Sequence, residues 1–301
     1  MSEKFLLVGK SNDDLIYTMQ AEMKLLPFLR EAMAHRSRNS VKSILSRGQV
    51  KVDGNIVTQF DYYLHQGQKV EILKNKAAIR ESTLIGLTIK HEDKDLIVVE
   101  KDAGLLSIAS EKEKELTAHN QLMIYVRSEN PTNRVFVVHR LDKNTSGIMM
   151  FAKNEKAKRV LQNAWREMVK RRSYIALVEG NVQKEADTIT SWLLESKTRV
   201  VYSSQTKDDG LKAVTHYKKI QSNKDYSLLE VELETGRKNQ IRVHMQDIGH
   251  PVVGDKKYGA GKNAIGRLGL HAQALAFLHP TTNELMRFEA ETPESFYSRS
   301  R

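Results

Sequence analysis

Beyond residue 84 the β-prone apolar runs follow one another with few helices between them, and this succession limits the fold more than any other feature. LIGLTIKHED and DLIVVEK, VFVVH at 135–139, IMMFAK at 148–153, then SYIALVEG, AVTHYKKI, YSLLEVELE, LGLHAQALAF and MRFEA all read as strands. A doubly wound parallel sheet needs a crossover helix between most successive strands. The expectation is therefore an α+β domain with a mixed, largely antiparallel sheet. Three helices are expected within it. One lies around His119 to Arg127. A second covers 154–172, with Ala157, Val160, Leu161, Ala164, Trp165 and Met168 as its apolar stripe and Asn154 as cap. A short third follows Asn239, with Ile241, Met245 and Ile248 inward and Gly249 at its end.

The front of the chain reads differently. Leu25, Leu26, Leu29, Ala32 and Met33 fall at helical spacing, with Pro27 in the first turn. Asn39 or Ser40 can cap a second helix containing Val41, Ile44 and Leu45, and Gly48 supplies a left-handed stop. VKVDGNIV places Asp53-Gly54 at a tight hairpin turn, and KVEIL closes the unit. The organisation expected is a small α+β domain over 1–75, a linker over 76–83, and the larger domain over 84–301.

Composition narrows the class. Hydrophobic residues make up 40 % of the 301, enough for a real core, and there is no cysteine for a disulfide or thiolate metal site. No apolar run approaches the roughly 18 residues of a membrane span, and the first residues lack a signal peptide's apolar stretch. A cytoplasmic protein without a membrane partner is expected. The net charge of +11 points to a polyanion. Arg30, Arg36, Arg38, Lys42, Arg47 and Lys51 crowd the front unit against the single acid Glu31. LLPFLREAMAHRSRNSVKSILSRGQVKVDGNIV resembles the S4 RNA-binding domain, chiefly through SILSRGQVKVDGNIV. The resemblance implies that Arg36, Arg38, Lys42 and Arg47 contact RNA phosphates.

Within the second domain, VVHRLDKNTSG joins two apolar runs through a polar turn. Such a connection can hold Asp142 rigidly at a cleft edge, or Asp142 can simply cap the turn. The residues alone leave both open. VVHRLDKNTSGIMMFAKN resembles the signature of the pseudouridine synthases that act on ribosomal and transfer RNA, the branch with His-Arg-Leu-Asp followed by Thr-Ser-Gly. DLIVVEKDAGL, RSYIALVEG, LETGRKNQIRVHMQDIGHPVVGDKKYG and RLGLHAQALAFLHP resemble further segments of that family, in the family's order. Two departures stand out: Lys101-Asp102 where members usually have Lys-Pro, and Lys238-Asn239-Gln240 where they often have Thr-His-Gln.

The resemblance implies isomerisation of uridine to pseudouridine in structured RNA, ribosomal RNA first and transfer RNA second. Asp142 is then the catalytic carboxylate, attacking the sugar or taking a proton from it. Arg242 grips Asp142 with two parallel hydrogen bonds and holds it ionised. Tyr174 offers a ring to the flipped uracil and a hydroxyl for proton transfer. Arg140 fills the gap left by the flipped nucleotide, and Leu270 packs against the base. His139 points away from Asp142 and packs. Nothing is oxidised or imported, so no cofactor and no metal are expected, and the working unit is expected to be a monomer. Two rival classes stand beside this one. An inactive RNA-binding or assembly factor would not need to keep Asp142, Tyr174 and Arg242 together. A hydrolase would want a metal-binding carboxylate cluster or a His pair.

Overall fold

The computed structural model describes residues 4–11, 14–34, 36, 41, 44–45, 48–59, 61–73, 84–111, 113, 116–207, 209–261 and 263–301. By internal contacts the chain divides into two compact units, Met1–Ile85 with Ile108–Val135, and Gly86–Ser107 with Phe136–Arg301. Sequence patterning predicts one continuous domain over 84–301. Instead the stretch Ile108–Val135 groups with the first unit.

The first unit contains β1 (Phe5–Ser11), β2 (Asp14–Met19), β3 (Met23–Lys24), α1 (Leu25–Ala32), β4 (Val50–Val52), β5 (Asn55–Ile56), β6 (Tyr63–Leu64) and β7 (Lys69–Ile72). Five of the strands form an antiparallel sheet in the order β1-β2-β7-β4-β5, and β3 pairs with β6. α1 buries Leu25, Phe28 and Leu29. The Phe28 ring meets Phe5 and Tyr17 edge-on at 4.9 and 5.4 Å, the arrangement aromatic quadrupoles favour. Val41, Ile44 and Leu45 are helical and buried, as their spacing predicts. Asp53 and Gly54 both have positive φ, 49° and 82°, which is what a two-residue turn between twisted strands requires. The sheet does not simply follow the helices, because β1 and β2 precede them. In β2, Leu15, Tyr17 and Met19 alternate inward, a period-two pattern that marks a half-buried strand. The expected cap residues Asn39 and Ser40 lie outside the described residues.

Also in this unit, α2 (Ala118–Glu129) is capped by Thr117, whose hydroxyl accepts from Asn120 N. The Gln121 side chain pairs with both backbone groups of Ile85, at 2.7 and 3.0 Å.

The second unit contains β8 (Leu87–Glu92), β9 (Leu96–Lys101), β10 (Phe136–Val137), β11 (Ser146–Ala152), α3 (Glu155–Asn163), α4 (Trp165–Met168), β12 (Val169–Glu179), β13 (Ala186–Glu195), β14 (Val201–Ser204), β15 (Leu211–Ser222), β16 (Tyr226–Leu233), α5 (Gln240–Asp247), β17 (Leu270–Leu278), β18 (Leu285–Glu289) and α6 (Glu294–Ser300). Its sheet runs β14-β13-β15-β16-β12-β17-β11-β9-β8, with β10 on β11 and β18 on β17. Among the described residues every pairing is antiparallel except β11 with β17, at Ser146↔His271 and Gly147↔Ala272. The expected α+β class with a largely antiparallel, mixed sheet is what forms.

One helix assignment is overturned. Asn154 caps α3 as expected, accepting from Ala157 N at 2.9 Å, but α3 ends at Asn163 and only the short α4 follows. Val169 then opens β12, which pairs with β17 on one side and β16 on the other. Lys170, Arg171 and Arg172 therefore sit on a strand. Two long sheet neighbours outweigh the local helical pattern. β13, β14 and α6 were not predicted either.

β12 sets the layout of the site. Ile175 and Leu177 point to one face and pack with Phe296 of α6. Ala176 and Val178 point to the other and pack with Ile241 and Met245 of α5. Each fully buried Val, Leu, Ile, Met or Phe among these contributes about 1.5–3 kcal/mol before the entropy of ordering it is subtracted. Tyr174 shares the parity of Ala176, so it lies on the α5 face.

Candidate active site

Asp142 lies in the connection between β10 and β11. Its own carbonyl accepts from Thr145 N at 3.1 Å, closing a turn that leads into β11. The preceding residue is locked by Ser107, whose hydroxyl donates to Leu141 O at 2.7 Å and accepts from Leu141 N at 3.1 Å. The following residue is pinned through its carbonyl: Lys143 O accepts from Gly104 N at 2.9 Å and from Lys101 Nζ at 3.2 Å. The Lys101 ammonium also donates to Asp102 O and Leu105 O, both at 2.8 Å, so its three N–H groups face three carbonyls. Burial, joined by repulsion from Arg267, pulls Lys101 down to about 7, while Asp102 and Asp142 pull it upward.

The Ser146-Gly147 part of the motif is architectural. Ser146 Oγ accepts from Arg267 at 2.6 Å and hydrogen-bonds His271 Nδ1 at 2.7 Å. Gly147 has φ +113°, and a Cβ there would lie 2.1 Å from the Ala272 carbonyl oxygen. The parallel join between β11 and β17 thus admits no side chain at this position.

α5 delivers Arg242. Gln240, at its start, ties the helix to the sheet: its amide donates to Val214 O and Thr215 Oγ1, each at 2.9 Å, and its carbonyl accepts from Thr235 and Arg237 N. One turn on, His244 bridges Ser191 and Thr215 at 2.9 and 2.8 Å, and burial drives it down to about 4. Every buried polar group in this link has a partner, which fixes the helix rigidly.

The guanidinium is not used as the sequence predicts. Its two-pronged grip goes to Asp255, through Nε at 2.6 Å and Nη2 at 2.8 Å. Asp142 receives one bond, Nη1 to Oδ2 at 3.2 Å, and Nη1 also donates to Asn239 Oδ1 at 3.0 Å. The Arg242 side chain is 15 % exposed, Asp142 25 % and Asp255 1 %. The guanidinium lies over the Tyr258 ring, 4.9 Å from its centroid, and the Tyr258 hydroxyl accepts from Asn239 Nδ2 at 2.9 Å. Asp255, Asn239 and Tyr258 are site-building residues that sequence reading missed. Asn239 has φ +56°, and this left-handed turn starts α5. The departure Lys238-Asn239-Gln240 is therefore part of the site's frame.

Arg140, Asp142, Tyr174, Arg237, Arg242 and Leu270 line one cleft. All three residues expected to be catalytic meet there, with Arg140, expected to fill the gap left by the flipped nucleotide, and Leu270, expected to pack against the base. Leu270 is 4 % exposed and forms its floor with the core, whereas Arg140 is exposed. Burial raises the Tyr174 phenol above its ordinary value; Arg172 opposes the rise and Asp142 adds to it. The His139 ring faces Trp165 at 5.2 Å and accepts from Met150 N through Nε2, which agrees with the packing role expected of it. Of the four expected phosphate contacts, Arg36 is exposed in the first unit, and Arg38, Lys42 and Arg47 lie outside the described residues.

One group of metal-capable side chains lies elsewhere among the described residues: Asp93, Asp95 and His279. His279 Nδ1 accepts from Thr281 N and Thr282 N, so its hydrogen sits on Nε2, 3.2 Å from Asp93. That tautomer presents an N–H to the carboxylates where a metal would need a lone pair.

Residues 95–247 match the RNA pseudouridylate synthase family. The chain is 34 % identical to the uncharacterized RNA pseudouridine synthase YjbO of Bacillus subtilis, over 82 % of this chain and 88 % of the relative. It is 31 % identical to ribosomal large subunit pseudouridine synthase D of Haemophilus ducreyi, over 98 % and 94 % of the two. Among solved structures it resembles human RNA pseudouridylate synthase domain containing 1, with TM-score 0.57 and 26 % identity over 70 % of this chain and 85 % of that one. The chain belongs to the RNA pseudouridine synthase family and isomerises uridine in RNA.

Proposed function

We propose that Asp142 is the carboxylate that carries the isomerisation and that the target uridine lies in ribosomal RNA, with transfer RNA as the second choice. The observation that carries the first part is the single-pronged contact with Arg242. It places a full positive charge beside Asp142 Oδ2, while none of Arg242's hydrogen bonds goes to Oδ1. Whether the carboxylate attacks the sugar or removes a proton from it, it needs that unencumbered oxygen. Tyr174 presents its ring to the base and keeps its proton at neutral pH, so its hydroxyl can donate. Arg140, exposed at the cleft rim, enters the duplex where the flipped nucleotide leaves a gap.

The ribosomal assignment rests on the S4-like stretch of the first unit and on the substrate stated in the name of the Haemophilus ducreyi relative. In this reading Arg36, Arg38, Lys42 and Arg47 hold RNA phosphates, and the enzyme works as a cytoplasmic monomer without metal. Among the described residues no helix is long and apolar enough to cross a membrane. The test is pseudouridine sequencing of ribosomal and transfer RNA from cells with and without this protein. A site lost from ribosomal RNA supports the reading. A site lost only from another RNA overturns the substrate, and no lost site overturns the function.

A further inference from the structure

Beside the catalytic cleft the second unit holds a larger cavity of about 590 Å³, within the range of small-ligand pockets. The two share Arg140, Tyr174, Leu233 and Arg237 as wall residues, so they adjoin. The far wall is made by the break between α3 and α4, which turns Trp165 towards β12 and leaves Arg166 exposed. Four arginines (Arg140, Arg166, Arg172 and Arg237) face two acids, Glu167 and Glu234, and Glu234 is engaged by His216 at 2.8 Å. Arg172 sits 5.8 Å from the Trp165 ring centroid and donates to Leu233 O at 3.1 Å. Gly236 leaves room for it: a Cβ there would lie 2.6 Å from Arg172 Nη1.

His139 completes the wall. Its Nε2 accepts from Met150 N, and burial with repulsion from Arg172 drives the ring down to about 3. The ring is therefore neutral with its hydrogen on Nδ1. Flat rings, forked donors and a neutral N–H donor are what an unstacked nucleobase needs along its acceptor edge. The roles proposed for the cleft involve none of Trp165, Arg166 and Arg172.

We propose that this cavity receives the nucleotide next to the target uridine, its base held against Trp165 and His139 and its carbonyl or ring-nitrogen acceptors met by Arg172. A second cavity of about 510 Å³ shares Trp165, Arg166 and Arg172 with it and continues past Lys170 and Lys212. The strand leaves the site along that basic groove. Only an unpaired neighbour fits, so the target uridine sits in a loop or bulge rather than inside a continuous helix.

The test uses the whole protein and total RNA, labelled with tritium at uridine C5, from cells lacking it. Trp165→Ala should raise KM about tenfold, in line with what alanine does at base-contacting aromatics. Arg166→Gln should raise it by a smaller factor, with kcat close to the parent in both. Ultraviolet crosslinking of this RNA to the Asp142→Asn protein should attach RNA to the peptide bearing Trp165 as well as to that bearing Tyr174. It decides the question even if Trp165→Ala fails to fold. Attachment at Tyr174 without any at Trp165 overturns the proposal. So do well-folded variants with parental KM, or variants that lose kcat alone, which would make Trp165 a structural support. A parent that releases no tritium would overturn the assigned reaction, a separate failure.

Discussion

Arg242 gives its forked hydrogen bond to Asp255 and a single one to Asp142. The buried carboxylate, 1 % exposed, anchors the arginine, and the half-buried one borrows its charge. An arginine that forked onto Asp142 would have occupied both oxygens of the carboxylate proposed to react.

Asp142→Asn keeps the size and removes the charge. Turnover should fall by roughly 10⁴-fold or more, as for removal of a nucleophile elsewhere. RNA affinity should stay near the parent, because it draws on many phosphate contacts. Tritium release and filter binding on the same preparation check both. A well-folded variant with parental turnover would remove Asp142 from catalysis.

Asp255→Asn should act on stability first. Breaking a buried pair costs about 3–5 kcal/mol, discounted here because Arg242 is partly exposed, so urea unfolding should show a loss at the lower end of that range. Arg242→Lys keeps a charge near Asp142 but cannot fork onto Asp255. It should therefore lose both stability and turnover, with turnover between the parent's and that of Asp142→Asn. An Asp255→Asn protein with parental stability would show that the fork is ornamental.

Gly147→Ala should cost more than about 4 kcal/mol or prevent folding, since the new methyl meets a backbone carbonyl and φ is +113°. Gly249→Ala, where a Cβ meets nothing within 4 Å, should be milder despite its positive φ. The comparison is read in thermal midpoints. Equal losses would mean that close approach at the parallel join matters less than φ.

His139 and His244 are held neutral in the fold, at about 3 and about 4. In the unfolded chain they bind protons near the ordinary 6.5. The unfolded state therefore takes up more protons between pH 6.5 and about 4, and stability falls as pH drops through that window. The urea midpoint should decrease from pH 7 to pH 5, and His244→Gln should flatten part of that slope. A midpoint that does not move contradicts the burial of these rings as neutral groups.

Much of this architecture is legible in the chain. DLIVVEK and IMMFAK were readable as strands because fully buried β-branched and apolar runs are short and bounded. α5 was readable because Ile241 and Met245 repeat at helical spacing ahead of Gly249. Residues 154–172 misled because Trp165 and Met168 extend the α3 stripe, whereas the pairing of β12 with β16 and β17 is a property of residues 47 to 108 positions away. β13 was hidden because ADTITSWLLE buries only Ser191 and Leu193 fully, so its alternation carries little apolar signal. Asp142, Tyr174 and Arg242 are singled out by motif resemblance, and the fold brings them to one cleft. Asp255 was not, since an aspartate in HPVVGDKKYG reads as a turn residue, and nothing local reveals that it is buried against a guanidinium.

The place of β17 in the sheet has a temporal consequence. It lies between β12 and β11, so it separates β8, β9 and β11, which flank the Asp142 loop, from β12 to β16, which lead to Arg242. During synthesis, β8, β9 and β11 emerge first and β12 to β16 next, yet neither group gains its shared neighbour until Leu270–Leu278 has left the ribosome. Closing loops of that length is slow, and unpaired edges are exposed meanwhile. The two halves of the sheet that carry Asp142 and lead to Arg242 are thus joined only after Leu270–Leu278 has been made.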